Sequence, residues 1–105
     1  MNASERNKRA IEIITHEAAR FIAEEAGSGS LITVVRAQSV SKGERVLVFV
    51  SVFPEEKAPA ALAFLDRKRK DFSEHLKTHT RLHGLPRIDF MLDNREETEN
   101  ATEER

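Results

Sequence analysis

The sequence predicts an α+β domain of order α-β-β-α-β, with a three-stranded mixed sheet and its helices on one face. Three observations carry this. Apolar residues recur at helical spacing over residues 4–27 and again over 59–83. Between them lie two β-branched runs joined by a short turn with a glycine. A last run, "RIDFMLD", alternates apolar and polar residues as a strand does.

The first helix is expected over residues 4–27, with Ser4 as N-cap and Gly27 as stop. Ile11, Ile14, Ala18, Phe21 and Ile22 form its apolar stripe, and Arg6, Lys8, Arg9 and Arg20 lie mostly off it. After the turn "GSGS", residues 31–37 read as a strand, "SKGE" as a hairpin turn around Gly43, and 45–53 as a second strand. In that second strand Val46, Val48, Val50 and Val52 share one face, and Leu47, Phe49, Ser51 and Phe53 the other. Both faces are largely apolar, so a central strand covered at least partly on both sides is expected.

Pro59 suits the first turn of a long helical region. It continues through Leu62, Leu65, Phe72, Leu76 and Leu82 and stops at Gly84. In the third strand Ile88, Phe90 and Leu92 oppose Arg87, Asp89 and Met91. A helical crossover returns this strand parallel to the second.

At 105 residues the chain is one domain with one modest core. The longest apolar run, residues 46–50, is far short of the roughly 20 residues that span a bilayer. The N-terminal residues lack the apolar region of a signal peptide, so a cytoplasmic protein with no membrane partner is expected. Without cysteine there is no disulfide framework or thiolate chemistry.

The net charge of −1 hides a division. Residues 1–91 hold 15 basic against 12 acidic side chains, and residues 92–105 two against six. The division suggests a folded unit over 1–93 and an acidic, solvated, disordered tail over 94–105. Positive charge concentrates in "FLDRKRKDFSEHL", where Arg67, Lys68, Arg69 and Lys70 fill one whole helical turn. Leu65, Phe72 and Leu76 share a face, so a continuous helix would drive Lys68 or Arg69 towards the core. A bend at this point resolves the conflict and leaves a cationic elbow. Arg67, Lys68, Arg69, Lys70, Lys77 and Arg81 are therefore the candidate RNA-binding residues, acting on phosphates through charge. Lysine and arginine stems can also cover apolar area on an ordinary solvated helix, which is the plainer reading.

His75, His79 and His83 fall four residues apart and could form a stripe. No cysteine or carboxylate completes a ligand set, so partly exposed polar residues are expected and no metal. No GxGxxG, Walker loop or GxSxG elbow is present. We expect no enzyme, no catalytic residue, no cofactor and no small-molecule substrate.

"TVVRAQSVSKGERVLVFVSVFP" at 33–54 and "RLHGLPRIDFMLD" at 81–93 together resemble the ribosome-binding factor A family. Its hairpin reads "TVTxVxVS…VYVSV" and its closing strand "RxxPxLxFxxD". The resemblance spans about residues 5–93. It implies a KH-like (type II) fold with a kinked second helical region. It also implies a cold-shock-associated assembly factor that binds the small (30S) ribosomal subunit and its 16S rRNA late in maturation; a monomer is expected. The family marks the kink with Ala-x-Gly; here Lys68-Arg69-Lys70 stands at that place, and Lys42-Gly43 replaces an Asp-Leu after the first strand. The absence of tyrosine and tryptophan leaves little for base stacking, so backbone recognition is expected. The rival reading is a protein-interaction module that uses the sheet face of Leu47, Phe49, Phe53 and Met91 without touching RNA.

Overall fold

The computed structural model describes residues 3–27 and 29–93. The acidic stretch 94–105 and the expectation attached to it lie outside them. The elements are α1 (Ala3–Glu25), β1 (Leu31–Val40), β2 (Arg45–Phe53), α2 (Ala58–Arg67), α3 (Arg69–His79) and β3 (Arg87–Leu92). Short 3-10 turns at Ser41–Gly43 and Glu55–Lys57 connect them. This is the expected α-β-β-α-β order with the second helical region split in two.

The sheet order is β1-β2-β3. β1 pairs antiparallel with β2, with a bulge between Val34 and Arg36, and β3 runs parallel to β2. The turn between β1 and β2 is left-handed throughout: φ is 53° at Ser41, 55° at Lys42 and 89° at Gly43. Glycine adopts such angles without the steric cost a Cβ adds. Ser41 and Lys42 hold theirs inside a tight hairpin whose closing bond runs from the Glu44 amide to Ser41 O.

One face of the sheet carries the core. Val46, Val48, Val50 and Val52 of β2 and Ile88 of β3 meet Ile14, Ala18, Phe21 and Ile22 of α1. Leu65 of α2 and Phe72 and Leu76 of α3 complete it, all three fully buried. Phe72 holds three elements together, its ring 5.2 Å from Phe21 and 5.8 Å from Phe90. Tilted aromatic pairs at such distances add to burial.

Several expectations change. Ser4 lies inside α1 rather than capping it, and β1 extends to Val40. α3 ends at His79, so Leu82 sits in the following loop, half-buried against the core, and His83 is no longer on a helical stripe. β2 is central, yet among the described residues no helix covers its second face: Phe53 is 72% exposed and Leu31, its register partner, 65%. On that face Arg36 lies 3.8 Å over the Phe49 ring and covers that one side chain in part.

Candidate nucleic-acid interface

The helical region breaks at Lys68. Its φ of −92° and ψ of 2° lie between the helical and extended regions, and its amide is shared between Phe64 O at 3.1 Å and Leu65 O at 3.0 Å. α3 then restarts with the Phe72 amide bonded to Lys68 O at 2.9 Å. No glycine and no positive φ is used. The break leaves Leu65 and Phe72 both buried while Lys68 and Arg69 turn sideways rather than inward.

Neither of these two cations is idle. Lys68 Nζ stands 3.7 Å from Glu25 of α1 and 3.6 Å from Asp71. Arg69 reaches Asp66 at 3.1 Å and places Nη1 2.6 Å from Asp89 Oδ1 on β3. Arg67 and Lys70, by contrast, are exposed and form no ion pair among the described residues. Lys77 is exposed but paired with Glu74 at 3.3 Å. Arg81 lies past the end of α3, in the loop before β3. The six candidates are thus not one patch. Arg67 and Lys70 are available at the elbow, Lys68 and Arg69 brace it, and Lys77 and Arg81 lie along and beyond α3.

Asp89 was not anticipated as anything but an outer strand residue, yet it is only 8% exposed. Arg45 donates to it from Nε at 2.6 Å, Arg69 at 2.6 Å, and Arg87 Nε stands at 3.4 Å. Burial would raise its pKa, but the hydrogen bonds from Arg45 and Arg69 and the charges of Arg45 and Arg87 outweigh that and hold it below the usual carboxylate value. Three guanidinium groups around one carboxylate leave a net positive corner. The strand register, which pairs Arg45 with Arg87 and Leu47 with Asp89, is what assembles it. No local pattern in the sequence announces that register.

His75 also departs from expectation. Its side chain is 9% exposed, with Nε2 donating to buried Glu17 at 2.9 Å. Its ring lies edge-on to Phe21 at 5.5 Å and stacks on His79 at 4.0 Å. His75 therefore fastens α3 to α1 rather than facing a ligand. Burial would raise the Glu17 pKa; the His75 hydrogen bond and the charges of Arg20, His75 and His16 bring it below its ordinary value instead.

A mixed three-stranded sheet with the helices on one face and a break in the second helical region at Lys68 define an α+β fold. No protein-family model matches the chain, and no curated protein does. Solved structures do match. The chain is similar to the crystal structure of ribosome-binding factor A from Thermus thermophilus, with 24% identity and a TM-score of 0.70 over 82% of this chain and 93% of that one. It is also similar to the solution NMR structure of a putative ribosome binding factor A from Thermotoga maritima, with 22% identity and a TM-score of 0.66 over 87% and 90%. The fold implied by the resemblance at residues 33–54 and 81–93 is the fold of these two structures.

Proposed function

We propose that this protein is a ribosome-assembly factor that binds the small (30S) subunit and assists late maturation of 16S rRNA. It acts as a non-catalytic cytoplasmic monomer, and residues 94–105 serve as an acidic solubilising tail. The observation that supports this most is the exposed pair Arg67 and Lys70 flanking the Lys68 break, which form no ion pair among the described residues, on a fold shared with proteins named for ribosome binding. Phosphates neutralised by such cations release counterions, so binding follows backbone charge and shape rather than sequence. Lys77 and Arg81 extend the contact along α3, while Lys68 and Arg69 hold the elbow's shape.

Co-sedimentation with purified small subunits tests this, comparing wild type with Arg67→Glu/Lys70→Glu at low and high salt. Wild type should pellet with the subunit at low salt and the folded variant should not. Equal pelleting of the two would end the elbow's role, and no pelleting of wild type would end the ribosomal reading.

A second reading is favoured by one observation, the exposure of Leu31, Phe53 and Met91 on the uncovered sheet face. A protein partner seated there would bind without RNA. Its association would change little with salt, whereas phosphate binding weakens steeply.

A further inference from the structure

We propose that the groove between the N-terminal half of α1 and the loop after α3 is a second RNA-backbone site, holding phosphodiesters of a single strand on Arg6, Arg9 and Arg81. The proposal rests on the RNA-binding reading above and adds to it a surface at the opposite end of α3. The groove is open, about 920 Å³ in volume, and all three arginines line it.

Arg6 and Arg9 stand one turn apart on α1 and so share a flank of the helix. Arg81 approaches from the loop. All three are exposed, and none forms an ion pair among the described residues, although Lys68, Arg69 and Lys77 each have a carboxylate within reach. The acids that line the groove are Glu12 and Glu17. Glu17 is already committed to His75, with Arg20 at 3.6 Å and His16 at 3.9 Å, so it does not neutralise the arginines.

Between the cations the lining is mixed: Ile11 and Leu82 are half-buried apolar surface beside Asn7, Ser39 and Thr80. A cationic rim beside partly apolar lining suits a nucleotide, whose phosphate is anionic and whose base has an apolar face. The eleven residues of α3 span about 16 Å at the usual helical rise. That is about five phosphates at the ~3.4 Å per charge of one stacked strand. One strand following α3 can therefore engage the elbow and the groove together.

The test is fluorescence anisotropy with an end-labelled single-stranded RNA of about 20 nucleotides, long enough to cover both sites. The full chain is titrated at salt between about 50 and 200 mM. Wild type, Arg6→Ala/Arg9→Ala/Arg81→Ala and Arg67→Ala/Lys70→Ala are compared, with thermal melts as the check on folding. Three lost phosphate contacts should lower the slope of log K against log salt by about 2, at roughly 0.7 per contact. Should the triple variant melt early, Arg9→Gln alone is read instead, for a drop of about 0.7.

If the groove variant keeps the wild-type affinity and slope while the elbow variant loses them, the groove proposal is overturned and the RNA-binding reading stands. If wild type binds no RNA, both fall. Displacement of the RNA by polyglutamate at equal charge concentration would also overturn it, marking the groove as a seat for acidic peptide.

Discussion

Arg69 and Asp89, twenty residues apart in the chain, are joined by a 2.6 Å hydrogen bond that ties the elbow between α2 and α3 to the edge strand β3. A charge-assisted bond to a buried carboxylate contributes more than a neutral one. The bond gives the third residue of the basic run a structural duty that Arg67 and Lys70 lack.

Asp89→Asn should therefore destabilise the domain by about 2 kcal/mol, the usual contribution of a hydrogen bond to a charged group. In a domain of this size that is a fall of about 10 °C in melting temperature. Arg69→Gln should cost less, since Arg45 and Arg87 still face the carboxylate. Differential scanning calorimetry gives both values, and an unchanged melt for Asp89→Asn would contradict the description of this corner.

Stability should fall in acid through two carboxylates. Asp89 and Glu17 both have folded pKa values below their ordinary ones, so each binds protons more weakly folded than unfolded. Their contribution is complete above about pH 4.3 and is lost as pH drops through the lowered folded values. Urea midpoints measured downward from neutral should decline in that window. In the double variant Glu17→Gln/Asp89→Asn the decline should be shallower.

Lys70→Gly would place a glycine where the resemblance puts the last residue of the Ala-x-Gly kink. Here Lys70 sits inside α3, and among the described residues the only positive φ angles at residues other than glycine are those of Ser41 and Lys42. Glycine should consequently cost about 1 kcal/mol through lost helix propensity. A gain in thermal stability would show that the break depends on a backbone conformation other than the one at Lys68.

Phe72→Ala should remove about 3–5 kcal/mol, because a fully buried ring is deleted between α1 and β3. Chemical denaturation would show it, with loss of the folded baseline as the extreme outcome.

Much of the fold was legible because its periodicities are local. The valines of β2 alternate along the strand, and Leu65, Phe72 and Leu76 repeat at helical spacing. The elbow was legible for the opposite reason: cations stood where the period demanded an apolar residue, and a break at Lys68 is the physical answer. The division of labour within the basic run was not legible. Whether Arg69 faces solvent or Asp89 depends on β3 lying beside β2 in one register. His75 misled for the same reason, since Glu17 meets it from 58 residues away. Arg6 and Arg9 did carry a signal, as cations one turn apart off the apolar stripe, but the wall opposite them comes from the loop at Arg81.

The pairing of Arg45 with Arg87 sets two like charges side by side at the start of neighbouring parallel strands. Such an arrangement repels unless something stands between them. Asp89, on the same face, contacts both. Sliding β3 by one residue would turn Asp89 towards the core valines and bring Ile88 out to solvent. Such a slip would leave the two guanidiniums without their shared counter-charge. The carboxylate thus acts as an alignment key for the edge strand, allowing the chain to close its sheet in a single way.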